Sequence, residues 1–146
     1  MKIAIGADHG GYELKQHIID VFTQRGYEFV DFGTNSPESV DYPDYAFRVG
    51  KSVTGGECGC GILICSTGIG MSIAANKVTG IRAAHCTDSY TAKMSRHHNN
   101  ANVLAMGAKI TGVAIAEEIV AAFLSEGFDG DRHERRVEKI NNYKNS

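Results

Sequence analysis

GILICSTGIGMSIAANK, residues 61–77, runs from an apolar strand through a glycine-rich turn into a helix. Ile62-Leu63-Ile64 has the length and composition of a strand buried on both faces. It ends at Cys65. Ser66, Thr67, Gly68 and Gly70 form a small, turn-prone loop, and Met71–Lys77 has helical composition. Such a strand–turn–helix junction presents free backbone N–H groups and a partial positive charge, which makes an anion site. A thiol at its edge is expected to ionise more easily than the reference value of about 8.5. Simpler readings compete. A lone cysteine at a strand end is commonly a small core residue, and Ser66 or Thr67 can serve as a helix cap. The turn also lacks the third glycine of a dinucleotide fingerprint and the Gly-Lys-Ser/Thr ending of a P-loop.

Outward from this stretch, strands and helices alternate. Lys2–Ala7 predicts strand one, a turn at Asp8-His9-Gly10-Gly11 follows, and the next helix carries Leu14, Ile18, Val21 and Phe22 on one face. Gly26 stops it, and Tyr27–Phe32 predicts strand two. Gly33–Asp44 reads as a polar loop with a turn at Asp41-Tyr42-Pro43-Asp44, and Tyr45–Val53 as a helix. Strand four is expected over Ile81–His85, then a helix capped by Thr87 or Asp88 and running to about His97. Strand five covers Val103–Met106, an apolar helix Val113–Leu124, and a polar, basic segment from Asp129 ends in a short helix. This alternation calls for a parallel sheet with right-handed crossovers. The expected fold is a single α/β domain over 1–146, a flavodoxin-like, Rossmann-type three-layer sandwich with five parallel strands in the order 2-1-3-4-5. Strands one and three then flank the switch point where ligands bind. Asp8-His9 and Cys65-Ser66-Thr67 leave the sheet there, side by side.

The totals narrow the function. A formal net charge of −2 gives no global attraction to nucleic acid or an anionic membrane, so anion binding must be local. No apolar run is long enough to span a bilayer, and the first residues read as a strand and not as an export signal, so a cytoplasmic protein is expected. Cys58, Cys60, Cys65 and Cys86 then read as reduced thiols. Cys58-Gly59-Cys60 is badly spaced for a disulfide, and no second pair completes a zinc site. No metal or cofactor is expected.

Two more clusters stand out. Arg96-His97-His98-Asn99-Asn100 crowds imidazoles and amides at a helix end, where positive charge also complements the helix dipole. Arg132 and Arg136 sit one helical turn apart and repel each other slightly, which a bound phosphate would relieve. An exposed, salt-bridged tail is the commoner explanation of such a run.

ADHGG at 7–11, DYPDYA at 41–46, the 61–77 stretch, SRHHNNANVLAMG at 95–107 and GDRHERRV at 130–137 together resemble the ribose-5-phosphate isomerase B family, which includes galactose-6-phosphate isomerase subunits. The resemblance runs to about Ile140. It implies cofactor-free interconversion of an aldose phosphate and a ketose phosphate, in homodimers or homotetramers whose sites lie between subunits. For ribose 5-phosphate this is a step of the pentose phosphate pathway. By the same resemblance Cys65 is the base moving a proton between C2 and C1, and His98 the acid that opens the sugar ring. Asp8 and Thr67 belong to the ring-opening and sugar-binding apparatus. Backbone N–H groups of Ser66, Thr67, Gly68, Ile69 and Gly70 hold the enediolate oxygen. His9, Arg132 and Arg136 fall on phosphate-binding positions, with Tyr42 and Asn99 as further contacts.

The chemistry asks for such a set, since removing a proton beside a carbonyl needs a base and an oxyanion hole, each lowering the barrier by roughly 3–5 kcal/mol. One branch of the family places a glutamate base where this chain has Met71, which puts the chain in the cysteine branch. Ser66 replaces a common glycine, Lys109 replaces a frequent arginine near the phosphate, and His85 is an unusual polar residue without an assigned role. Hexose 6-phosphates such as allose or galactose 6-phosphate are the alternative substrates, and a non-catalytic phosphate-binding module is a remote one.

Overall fold

Three stretches apolar on both faces, KIAIGA, CGILIC and VLAMG, form the centre of a five-stranded parallel sheet. A computed structural model describes residues 1–143. Along the chain come β1 (Lys2–Ala7), α1 (Tyr12–Gln24), β2 (Glu28–Asp31), α2 (Tyr42–Thr54), β3 (Cys60–Cys65) and α3 (Ile69–Ala75). β4 (Ala83–His85), α4 (Ser89–Asn99), β5 (Val103–Gly107), α5 (Val113–Ser125) and α6 (Arg132–Asn142) follow. Ile62, Leu63 and Ile64 are fully buried, and each such side chain stabilises the fold by about 1.5–3 kcal/mol.

The strand order is β2-β1-β3-β5-β4, so the expected 2-1-3-4-5 is corrected by an exchange of the last two strands. The cause lies in their side chains. β5 is buried along its whole length, as an interior strand must be, whereas the β4 region carries Arg82 and His85 and pairs only over three residues. Right-handed crossovers then set the layers. α1, α4 and α5 cover one face through Leu14, Ile18, Phe22, Ala92, Ile119 and Phe123, while α2 and α3 cover the other through Ala46, Val49, Met71 and Ala75. The switch point between β1 and β3 survives the exchange.

Two boundaries also move. The 41–44 turn is instead the start of α2, because Pro43 lies in the first helical turn, where no partner is needed for its missing N–H. α3 begins at Ile69, two residues earlier than expected, directly after Gly68 with φ 84°. Asp88 caps α4 as anticipated, its carboxylate accepting from Thr91 N at 2.7 Å. Lys15 is wholly buried at the start of α1. Its Nζ donates to Asp31 Oδ2 at 2.6 Å and to Asn35 Oδ1 at 3.3 Å, clamping the helix to the end of β2.

Candidate active site

Cys65 closes β3 in register with Gly107 of β5 and is 5% exposed. Beyond it the chain turns tightly. The Gly68 N–H donates to Cys65 Sγ at 3.1 Å, and Thr67 Oγ1 accepts from Ile69 N at 3.2 Å. The following loop is stitched on by Ala108 N to Cys65 O (2.8 Å) and Lys109 N to Ser66 O (3.0 Å). A Cβ at Gly107 would stand 2.4 Å from the Thr67 carbonyl carbon, so glycine alone lets β5 pass this close to the turn.

The neighbouring turn after β1 meets it directly. Asp8 N donates to Ile64 O at 3.3 Å, and the buried Asp8 carboxylate accepts from Gly10 N (2.9 Å) and Gly11 N (3.1 Å). At Gly10 a Cβ would lie 2.4 Å from Ser66 Oγ, which measures how tightly the two turns abut. The exposed His9 accepts from Val40 N at its Nδ1 (3.2 Å). Tyr42 lays its ring over Gly70, where a Cβ would be 2.6 Å from Cζ. At the end of β4, His85 Nε2 stands 2.8 Å from the Thr67 carbonyl oxygen. The carboxyl end of the sheet therefore gathers the segments that carry Asp8, His9, Tyr42, Cys65, Ser66, Thr67, Gly68, Ile69, Gly70 and Lys109.

His98, Asn99, Arg132 and Arg136 gather elsewhere. α4 runs back from the end of β4 to the start of β5. Just beyond its left-handed cap Asn100, the Asn102 carbonyl accepts from Gly61 N and its side chain bonds Arg82 N and Gly80 O. These are the amino-terminal edges of β3 and β4. Within one chain, His98 and Cys65 thus lie at opposite ends of a six-residue strand, about 15–20 Å apart along it. His98 stacks on the buried His133 of α6, with ring centroids 4.4 Å apart and planes at 13°. Arg132 and Arg136 are exposed on the same short helix. Burial keeps His133 below the ordinary histidine range, and the positive charges of His98, Arg132 and Arg136 add to this. The Asn99 carbonyl accepts from Arg82 Nε at 3.3 Å.

A charged clamp braces this second cluster. His97 Nδ1 meets Asp129 Oδ1 at 2.5 Å and its Nε2 meets Glu126 Oε2 at 2.6 Å. The hydrogen bond to Asp129, then that to Glu126, raises the His97 pKa, and the same imidazole lowers that of Asp129. One ring nitrogen of His98, one of His133 and a carboxylate oxygen of Asp129 lie within 4.8 Å of one another. The sequence reading gave no role to Asp129, His133 or Glu126, although His133 and Val137, four residues apart, mark the buried face of α6. All four cysteines are free. Burial pushes Cys60 up to about 11 and raises Cys86, so both stay thiols at neutral pH. Among the described residues, no helix is long and apolar enough to cross a membrane.

Known proteins are similar to this chain over nearly its whole length. The profile of the Ribose/Galactose Isomerase family matches residues 3–140. Ribose-5-phosphate isomerase B of Escherichia coli is 51% identical over 95% of this chain and 93% of its own. The solved structure of Clostridium thermocellum ribose-5-phosphate isomerase B superposes with a TM-score of 0.95 at 57% identity, covering 97% of this chain and 95% of that one. The Mycoplasma genitalium ribose-5-phosphate isomerase B, solved with bound ribulose-5-phosphate, superposes with a TM-score of 0.92 at 40% identity, over 96% of this chain and 93% of that one. With near-complete coverage in both directions and the same fold, this chain belongs to the ribose/galactose isomerase family.

Proposed function

We propose that this protein interconverts ribose 5-phosphate and ribulose 5-phosphate through an enediolate, with Cys65 as the base. The observation that carries the reading is a nearly buried thiol at a strand end, beside the polar turns after β1 and β3, with the Gly68 N–H donated to its sulfur. Cys65 takes the C2 proton while the C–H electrons form a C1–C2 double bond and the C1 carbonyl becomes the enediolate oxygen. The O2 hydroxyl proton then passes to O1 as Cys65 returns its proton to C1 and the C2 carbonyl of the ketose forms. The amides of the 66–70 turn hold the enediolate oxygen, a contribution of roughly 3–4 kcal/mol for one well-placed donor. His98 and Asp8 open the sugar ring before isomerisation, and Thr67 and Tyr42 contact the sugar. His9 accepts a hydrogen bond at Nδ1, so its proton sits on Nε2, ready to donate to the phosphate. Arg132 and Arg136 supply guanidinium forks for the same group, with Lys109 as a further cation and Asn99 as a further contact.

These roles require two copies of the chain. The ring-opening acid and the arginines are a strand's length from Cys65 in one protomer, so the second set comes from a partner whose α4 and α6 face the carboxyl end of the sheet. Ile69 and Ile73 on α3, 53% and 60% exposed, offer apolar surface beside that end for a second copy. The site then lies at a subunit interface of a homo-oligomer.

The test is initial-rate isomerisation of ribose 5-phosphate, allose 6-phosphate and galactose 6-phosphate by wild type and Cys65→Ala. The expected result is a kcat/KM preference for ribose 5-phosphate and a kcat at least about a hundredfold lower in the variant, with a small change in KM. Preference for a hexose phosphate moves the substrate and keeps the mechanism. Unchanged turnover in Cys65→Ala removes the base.

A further inference from the structure

We infer that His85 is a positioning residue for Cys65, acting through the Thr67–Gly68 peptide group. That peptide is one planar unit with its carbonyl and N–H pointing in opposite directions. Both ends are held. His85 Nε2 lies 2.8 Å from the Thr67 oxygen, and the Gly68 N–H lies 3.1 Å from Cys65 Sγ. A carbonyl only accepts, so His85 carries its proton on Nε2 and donates. The result is a chain of hydrogen bonds from imidazole through one amide to the sulfur. Donation to the carbonyl polarises the amide and strengthens its N–H as a donor.

The surroundings place this peptide between His85 on one side and β5 on the other. Gly68 has φ 84°, which a glycine adopts without the strain a Cβ would bring. A Cβ on Gly68 would stand 2.8 Å from His85 Cδ2 and 2.8 Å from the Met106 carbonyl carbon, so the glycine is wedged between the imidazole and β5. His85 itself is anchored, paired in register with Ala105, while the next residue donates from Cys86 N to Ala105 O at 3.0 Å. An imidazole on an exposed edge strand gains nothing from burial. Among the described residues, its side-chain hydrogen bond is to the turn that surrounds the thiol.

The inference rests on Cys65 being the base, so one experiment compares wild type, Cys65→Ala, His85→Leu and His85→Gln with ribose 5-phosphate, each checked by thermal unfolding. His85→Leu removes the donor, and kcat is expected to fall about tenfold with KM within about twofold, the size of one positioning hydrogen bond. His85→Gln keeps an N–H donor and is expected to recover most of the loss. The unfolding midpoints of the two His85 variants should agree, since an edge-strand side chain is replaced in both. Wild-type kcat in His85→Leu overturns the inference, as does a loss that Gln does not recover or one confined to KM. Turnover retained in Cys65→Ala overturns the reading of the base instead, so the two failures are distinct.

Discussion

His97 is held between Asp129 at 2.5 Å and Glu126 at 2.6 Å, and its charge is therefore linked to folding. Its folded pKa is raised, so the stability it contributes is complete below about 6.5 and is lost as pH climbs through the raised value. Asp129 is lowered, so the same pair holds above the ordinary aspartate range and fails only as pH falls through the depressed value. Thermal unfolding of wild type and His97→Gln across pH tests this. The gap between their midpoints should be widest near pH 6 and should close on the alkaline side, and a gap that widens with alkali would contradict the assignment. At this scale the sequence was legible where residues share a motif. Cys65, Ser66 and Thr67 stand together in the chain, and Asp8 is brought beside them by the switch-point rule alone. The His97–Asp129 contact spans 32 residues and the His85–Thr67 contact 18, and no local pattern announces either.

Helices and strands were read from burial pattern, which worked best where it was extreme. β1, with every residue but its first buried, has the bounds expected of it, and the apolar α5 is placed within one residue. The exchanged β4 and β5 were decipherable in principle, because Arg82 and His85 mark an edge and VLAMG an interior. The number of strands hid that distinction, since five strands suit the commoner order. Lys15 was the opposite case, a lysine on a helix whose burial no periodicity suggests. Its ion pair with Asp31 is partly open on the acid's side, which is 30% exposed. Lys15→Met is expected to cost about 1–3 kcal/mol, less than a fully buried pair, by leaving Asp31 without its partner. Urea denaturation should show a lower midpoint with an unchanged slope. A midpoint at or above wild type would mean that packing, and not charge, holds α1 to β2.

For the whole molecule, the proposed site divides between copies, and two inactive variants provide the check. Cys65→Ala and His98→Ala subunits, each inactive alone, are expected to recover about a quarter of wild-type activity when co-expressed, because half of randomly formed dimers are mixed and each mixed dimer has one intact site. No recovery in assemblies shown to be mixed would place both residues in one protomer's site. Sequence motifs name the members of such a set without saying which chain supplies each, since chain identity is carried by the fold. The six-residue length of β3 has a final consequence. On the proposed assignment, a lone protomer holds its base and its ring-opening acid at opposite ends of its own sheet and cannot bring those two together. Under that assignment, assembly is the moment of activation, and dilution that separates the copies should silence the enzyme while leaving each subunit folded.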